Sequence, residues 1–428
     1  MLNSGLLAAI IFIIMYAFIA SEKINRTVVA MIGALLMVLL GIITQETAIH
    51  HIDFSTLGLL IGMMIIVAIT GQTGIFNYIA IYSAQKAKGE PKIILIVLAF
   101  ITAVFSAFLD NVTTVLLIVP VTLSITKKIR VDPIPFLITE IIASNIGGTA
   151  TLIGDPPNIM IGSAVKDLTF MAFIKNLVPI SILNLAVVIV ILSFMYRKQL
   201  YVKSILKDEI MKLDPKSELK DRRLLKKSLL VLSFTIIGFF SHQSLNLESS
   251  TIALLGGFLL LASVGKKHNF IESVLEKIEW ATIFFFIGLF VAVGALIETG
   301  IIKQVALFCF EITKGEIKQT SLLVLWLSAI ISAFLDNIPF VATMIPLILD
   351  MGNMGISNLE PVWWSLALGA CLGGNGTIIG ASANLIVASM AAENGHNISF
   401  IQYFKIGFPL MLLTIIFSSL YIYYFFLY

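Results

Sequence analysis

Few sequence features restrict a fold as strongly as an acid at the centre of a long apolar stretch, and this chain carries that feature twice. Ser106 to Pro120 reads SAFLDNVTTVLLIVP and Ser332 to Pro346 reads SAFLDNIPFVATMIP, which sets Asp110-Asn111 and Asp336-Asn337 inside hydrophobic runs 226 residues apart. The same offset carries Gly147-Gly148, Thr151, Gly154 and Asn158 onto Gly373-Gly374, Thr377, Gly380 and Asn384. It also carries Thr56, Gly62, Thr73 and Gly74 onto Thr282, Gly288, Thr299 and Gly300. With offsets of 224 and 230, Thr27 and Gly33 meet Thr251 and Gly257, and Phe170, Lys175 and Pro179 meet Phe400, Lys405 and Pro409. The expected organisation is two copies of one unit: repeat 1 over 1–196, a basic connector over 197–227 and repeat 2 over 228–428.

Composition says what solvent such a chain needs. Hydrophobic residues make up 58% and charged ones 12%, against roughly 25% charged in a soluble domain. A soluble globule cannot hide that much apolar surface, so lipid is the solvent for most of it. The net charge of +3 does not indicate nucleic acid, because the basic residues gather between apolar segments. Two cysteines, Cys309 and Cys371, support neither a disulfide framework nor a CxxC metal site. The stretch from Ser4 to Ala20 has no basic leader, and its repeat partner around Lys227 to Leu245 is internal, so it reads as a retained membrane helix and not a signal peptide.

A spanning helix takes about 20 mostly apolar residues. Repeat 1 offers segments near 4–21, 27–44, 55–83, 91–127, 134–165 and 176–196, and repeat 2 offers them near 227–245, 250–265, 280–302, 319–349, 361–390 and 403–427. The fourth of each set is too long for one span and is read as a re-entrant hairpin of two half-length helices with Asp-Asn at its tip. Five other segments cross, so each repeat makes an odd number of crossings and the second copy is inverted. The fold class expected is an all-α polytopic membrane protein of two inverted repeats, each about five transmembrane helices plus a re-entrant hairpin, with broken helices at the midplane.

Loop charge supplies the orientation through the positive-inside rule. With the N-terminus outside, cytoplasmic loops hold Lys23 and Arg26, then Lys86, Lys88 and Lys92, then Lys127, Lys128 and Arg130, while loop 45–54 holds no Lys or Arg. The connector has eleven Lys or Arg against five Asp or Glu and is expected in the cytoplasm as a solvated link. Loops 241–250 and 350–360 lack Lys and Arg and fall outside, whereas Lys166, Lys175, Lys303, Lys314 and Lys318 run against the rule. Phe284 to Phe286 and the Tyr/Phe-rich end at 421–428 read as lipid-facing and interfacial aromatics, and Glu298 as water-facing.

A charged group in the bilayer core costs some kcal/mol and usually marks a transport path. Asp110 and Asp336 are such groups, with Asn111, Asn337, Thr113 and Thr114 beside them as further ligands. Asp and Asn commonly cap helices, but capping alone is met without a charge. A broken helix also leaves backbone N–H and C=O groups free to replace an ion's water shell, which makes Asp110, Asn111, Asp336 and Asn337 a candidate Na⁺ site. The second constellation is Asn145, Gly147, Gly148, Thr149, Thr151, Gly154, Asp155, Pro156, Pro157 and Asn158. Clustered glycines followed by Pro-Pro cannot continue a helix, so the segment is an interrupted span whose break faces the hairpin tip. Repeat 2 keeps Gly373, Gly374, Asn375, Thr377, Gly380 and Asn384 but has Ala381-Ser382-Ala383 in place of Asp155-Pro156-Pro157. Glu140, at the start of the fifth segment, could relay protons; His242 and His268 lie in or near loops; and Cys371 beside Gly373-Gly374 reads chiefly as small packing material.

Paired acidic hairpin motifs with Gly-Asp-Pro-Pro-Asn after a glycine-rich stretch resemble the ion transporter superfamily. The similarity is to the branch, with a citrate transporter-like domain, of the arsenite permeases, the NhaD-type sodium/proton antiporters and the pink-eye-dilution P protein. Its motifs stand at 106–120, 143–160, 332–346 and 370–387 and cover nearly the whole chain. The resemblance implies an elevator-type secondary carrier, usually a homodimer, with solute and coupling ions held between hairpin tips and broken helices. Dicarboxylate carriers of the same superfamily have Ser-Asn-Thr at the tips where this chain has Leu-Asp-Asn. Three carboxylates, Asp110, Asp155 and Asp336, also repel a di- or tricarboxylate unless they are protonated or paired with cations.

The function expected is secondary transport of a small inorganic solute, arsenite- or antimonite-like or a small anion, coupled to H⁺ or Na⁺ and with no other cofactor. A Na⁺/H⁺ antiporter, a cation-coupled carboxylate carrier and an ion channel are the alternatives. GxxxxGK[ST] does not occur, so ATP would enter only through a separate ATPase subunit. No His or Cys pair accompanies the motifs to make an enzyme of it. The expected setting is a bacterial or archaeal plasma membrane.

Overall fold

The structure, a computed structural model, describes all residues except 1–3, 22, 202–203, 243–244, 246, 265–267 and 357. Among the described residues every regular element is helical and none is a strand. Nine helices there are long and apolar enough to cross a membrane: Ser4–Ser21, Phe54–Gln72, Pro91–Phe108, Asn111–Ile129, Phe170–Met195, Arg222–Ser241, Trp280–Glu298, Ile317–Phe334 and Phe400–Leu427, the last including a final π-helical turn. Arg26–Leu39, Ile134–Thr149 and Ser249–Ser263 are apolar but shorter.

Several expected segments are subdivided. The run 55–83 is two helices, Phe54–Gln72 and Ile75–Lys86, because Gly74 takes φ +79 and turns the chain between them. Gly300 does the same at φ +76 between Trp280–Glu298 and Ile301–Thr313. Hairpin arms Pro91–Phe108 and Asn111–Ile129 have 18 and 19 residues, so they are not half-length. At about 1.5 Å per residue each spans roughly 27 Å or more, close to the hydrocarbon thickness of about 30 Å. The reason is arithmetic in the chain: only Leu109 and Asp110 are spent on the turn.

The basic connector is also structured. Ser204–Met211 is helical, and Arg222, Arg223, Lys226 and Lys227 lie on the opening turns of helix Arg222–Ser241 and not in the link itself. The link docks onto the first repeat: Gln85 Nε2 donates to Leu213 O at 2.6 Å, Asn77 Nδ2 to Glu218 Oε2 at 3.1 Å, and Lys220 N to Thr73 O at 3.0 Å. Lys203 and parts of the loop 241–250 lie outside the described residues, as does the side chain of His268.

The helices that frame the molecule pair across the repeats. Phe54–Gln72 packs along Ser249–Ser263, and Arg26–Leu39 along Trp280–Glu298. Equivalent glycines mark the two crossings: a Cβ on Gly62 would lie 2.4 Å from Ala253 C, and one on Gly288 would lie 2.7 Å from Ala30 C. Of the three phenylalanines at 284–286, only Phe284 is exposed, at 48%, while Phe285 and Phe286 are fully buried. Successive residues on a helix point about 100° apart, so three in a row cannot share a lipid face.

A second pair of close contacts binds hairpin to broken helix. Pro91–Phe108 packs against Ile134–Thr149, and Ile317–Phe334 against Glu360–Gly373. A Cβ on Gly147 would lie 2.1 Å from Ala103 O, and one on Gly373 would lie 2.6 Å from Ala329 O, its partner at the same offset. Gly147→Ala and Gly373→Ala should each destabilise the protein by about 1–3 kcal/mol, since backbone cannot give way as a flexible side chain can. A lowered melting temperature of the detergent-purified variants is the expected result; wild-type melting by both would mean that the helices have room to spare.

Candidate functional site

Each hairpin turns on two extended residues. Leu109 (φ −119, ψ 161) and Asp110 (φ −69, ψ 161) close the first arm, and the Asp110 carboxylate then caps the second by accepting from Thr113 N at 2.9 Å and from the Thr113 hydroxyl. Leu335 and Asp336 repeat the geometry, with Asp336 accepting from Ile338 N at 3.2 Å. Capping is therefore one of their jobs. Asp336 does more: its Oδ2 also accepts from the Arg26 guanidinium and from Ser382 Oγ, the latter at 3.0 Å.

Beside each tip a helix comes apart. Ile134–Thr149 stops and the chain runs irregularly to Asp155, which is extended, before Pro156 and Pro157 open the nine-residue helix Pro156–Ala164. In repeat 2 the break falls between Glu360–Gly373 and Ser382–Glu393. Carbonyls released at these breaks are taken up by side chains the sequence had marked as ligands. Asn158 Nδ2 donates to Thr149 O at 3.1 Å and Thr151 O at 2.9 Å, and Asn384 Nδ2 to Gly374 O at 2.8 Å and Thr377 O at 2.9 Å. The hydroxyls of Thr151 and Thr377 donate to Ala107 O and Ala333 O, the carbonyls just before the hairpin tips. Thr149 Oγ1 donates to Asn145 O at 2.7 Å. These residues hold the backbone of the site in place.

The two halves meet through amides. Asn111 Nδ2 donates to Asn145 Oδ1 at 3.3 Å, and Asn145 Nδ2 donates across the repeats to Asn375 Oδ1 at 2.9 Å and Asn384 Oδ1 at 3.0 Å. Asn337 Nδ2, at the second tip, donates to Asp155 Oδ1 at 3.4 Å. Cys371 lies in the same cluster, with Sγ 3.5 Å from Asn158 Oδ1. Asp155 is buried, and its Oδ2 has no hydrogen-bond partner among the described residues. Neither have Asn375 Nδ2 nor Thr114 Oγ1.

Next to this cluster is a cavity of about 40 Å³ lined by Asp110, Asn111, Asp155 and Asn337 from the motifs and by Arg26, Glu279, Thr282 and Ser382. A water needs at least about 10–15 Å³ on this measure, so the space suits a bare ion or a solute of a few atoms. Among the described residues three carboxylates, Asp110, Asp155 and Glu279, line it with one cation, Arg26, which pairs with a fourth acid, Asp336, behind the wall and whose guanidinium also lies 5.0 Å from the Phe285 ring centre. Thr282 Oγ1 donates to Glu279 Oε2 at 3.0 Å. A larger cavity of about 470 Å³ is lined by Ser55, Lys166, Asp167, His242 and Glu248, among others, and contains none of the motif acids or amides. Volume alone favours it; the motif acids and amides on its wall favour the smaller one.

Arg26 and Glu279 were not legible as site residues. Arg26 reads as a loop charge, yet it opens helix Arg26–Leu39 and reaches the tip of the opposite repeat's hairpin. Its counterpart at offset 224 is Ser250, so symmetry gave no hint of it. Glu279 did leave a trace: it is the counterpart of Asp53, and both precede a helix by one residue and bond a threonine three residues on. The candidate Na⁺ site at both tips is also altered, because Arg26 holds one oxygen of Asp336.

The sequence model of the family described as citrate transporter (CitMHS) matches residues 16–369. A Mycobacterium bovis protein carrying the name uncharacterized transporter is 40% identical over 424 residues, covering 98% of each chain. The human P protein is 35% identical over 483 residues, covering 93% of this chain and 57% of that one. Among solved structures, that of the Alcanivorax borkumensis YdaH transporter, described as having an unusual topology, matches with a TM-score of 0.54 at 13% identity, covering 98% of this chain and 97% of that one. That likeness concerns the fold.

Removing Arg26 leaves the Asp336 carboxylate, whose side chain is 10% exposed, without its counter-charge. Arg26→Gln should therefore lower stability by about 1–3 kcal/mol, less than for a fully buried pair because Arg26 is 29% exposed. Asp336→Asn introduced alongside should recover most of the loss. Additive melting-temperature changes in the double variant would contradict the pairing.

Proposed function

The chain belongs to the citrate transporter family, and on that footing we propose that this integral membrane transporter is a secondary carrier moving a small inorganic solute, coupled to H⁺ or Na⁺. The observation that carries the reading is the small cavity between the two tips, about 40 Å³, lined by three carboxylates and by one arginine that is already paired with a fourth acid, Asp336. Most of that negative charge has to be met by cations or protons whenever the cavity is desolvated. Asp155 is the principal acceptor, since it brings an unpartnered buried oxygen to the wall. Asp110 follows, since its capping bonds to Thr113 leave it at the cavity's edge.

Arg26 gives the site a switch in charge. It stands on a framework helix, whereas Asp336 stands on a hairpin. Sliding the hairpins and broken helices past the framework in an elevator motion would part the two and turn Asp336 toward a transported cation. Loop charge puts the helix ends bearing Arg26 and Glu279 on the cytoplasmic side, so in this state the cavity is reached from the cytoplasm. A homodimer is the assembly that the resemblance implies.

Citrate itself is a weaker reading. The family's description names it, but a tricarboxylate needs several times the space and meets three acids against one arginine that is already paired with Asp336. A Na⁺/H⁺ antiporter would use the same carboxylates with no further solute, and the size of the cavity fits that as well.

Purified protein in liposomes, given a panel of oxyanions, neutral hydroxides, carboxylates and Na⁺ under imposed gradients, tests the proposal. Flux should saturate and be driven by a pH or Na⁺ gradient, and Asp110→Asn, Asp155→Asn and Asp336→Asn should each lower coupled flux by at least about tenfold while the protein stays folded. Full gradient-driven flux in all three variants, or ohmic single-channel currents, would sink the carrier reading.

A further inference from the structure

Glu140 does not line the cavity. It is the seventh residue of helix Ile134–Thr149 and is 1% exposed. Its Oε1 is 2.5 Å from Thr122 Oγ1 of the hairpin arm Asn111–Ile129, and its Oε2 is buried with no hydrogen-bond partner among the described residues. Among the described residues no ion pair reaches it, and Thr122 is its one hydrogen-bond partner. The charged residues of the helices packed around it, Lys92, Lys127 and Lys128, Lys175, Glu360 and Glu393, sit at or near helix ends, while Tyr196 caps the end of Phe170–Met195 and Cys371 Sγ lies 3.5 Å from Asn158 Oδ1. An ionised carboxylate with an idle oxygen in such surroundings is costly, whereas a protonated one needs only its threonine.

Packing does not require the acid. At the 226-residue offset Thr122 becomes Ile348 and Glu140 becomes Leu366, and the corresponding helices, Asn337–Asn353 and Glu360–Gly373, pack together with that apolar pair. The hydroxyl and the carboxyl are present together in one repeat and absent together from the other.

Polar groups continue from Glu140 toward the site. Ser144, one turn on, donates to Ser106 Oγ at 3.2 Å, and Ser106 Oγ lies 3.0 Å from Asn111 Oδ1, at the cavity wall. On the hairpin arm, Thr114 and Thr126 lie two turns and one turn from Thr122 along the same face, and Thr114 Oγ1 is buried without a partner. In the other direction the two helices are joined by a turn whose charged residues, Lys127, Lys128, Arg130 and Asp132, are exposed.

We propose that Glu140 is a second proton-binding site, separate from the acidic cavity, whose Oε2 takes a proton from water at the Lys127–Asp132 turn and gives it up again within each transport cycle. This rests on the reading of the chain as a coupled carrier. Thr122 holds the carboxyl in place, and the Ser144–Ser106–Asn111 line is the direction in which its charge is felt at the cavity.

Infrared spectra of the purified protein over a range of pH, without solute, read Glu140 directly. The expected result is a carbonyl band of a protonated carboxyl that titrates in the wild type and is missing from Glu140→Gln. In liposomes Glu140→Gln should lose at least about tenfold of the pH-driven flux while melting with the wild type. The double variant Thr122→Ile with Glu140→Leu, which copies the pair of the other repeat, should fold and lack the band even if Glu140→Gln does not fold. A Glu140 band unchanged at every pH would mean a permanently neutral packing group and overturn the proposal, as would wild-type pH-driven flux in the variants. Wild-type flux driven by Na⁺ and indifferent to pH would overturn the proposed proton cycle of Glu140 and leave the coupled-carrier reading standing, whereas flux driven by neither gradient would fault that reading itself, and the spectra would still decide whether Glu140 titrates.

Discussion

Backbone groups set free at membrane depth must find partners within the protein, because hydrocarbon offers none. That requirement shapes both halves of this molecule. Two helices are broken and two hairpins turned next to each other, and the freed carbonyls are collected by Asn158 and Thr151 in one copy and by Asn384 and Thr377 in the other. Ser106 and Ser332 do likewise for Ser144 O and Ala370 O, at 2.7 and 2.6 Å. Glycine at 147 and 373 lets hairpin and broken helix approach to backbone contact. What the duplicated motif conserves between its copies is mainly this scaffold.

Chemistry enters where the copies differ. Asp155 faces Ala381 in the alignment of the halves, Arg26 faces Ser250, and Glu140 faces Leu366. Each difference places a charge or acid in or beside the first repeat's share of the centre. A symmetric frame with asymmetric charge is what a carrier needs if its two facings are to be alike in shape while one coupling ion or proton is handled in a defined place.

The fold was largely legible because its signals are long-range in sequence and short-range in chemistry: apolar runs, an offset of 226 residues, and glycine and proline where helices must stop. Boundaries were less so. Gly74 and Gly300 turn the chain where hydropathy continues, and arm length depends on a turn of only two residues. Within the site, Asp110, Asn111, Asp155 and Asn337 reach the cavity as their types suggest. Asn158, Asn384, Thr151 and Thr377 are drawn instead to backbone, since a sequence does not reveal which carbonyls a broken helix will expose. Arg26 was hidden for another reason. Its partner lies 310 residues away, and a cation next to a membrane segment looks the same whether it meets lipid headgroups or an acid.

The central claim is that the carboxylates gathered at the hairpin tips and the broken helix beside them tie solute movement to that of an ion. The reversal potential of solute flux in liposomes, set by opposing solute and ion gradients, measures that tie directly. A fixed, non-zero number of H⁺ or Na⁺ per solute is the predicted result, and solute flux that reverses wherever the solute gradient alone does, whatever the ion gradients, would contradict it.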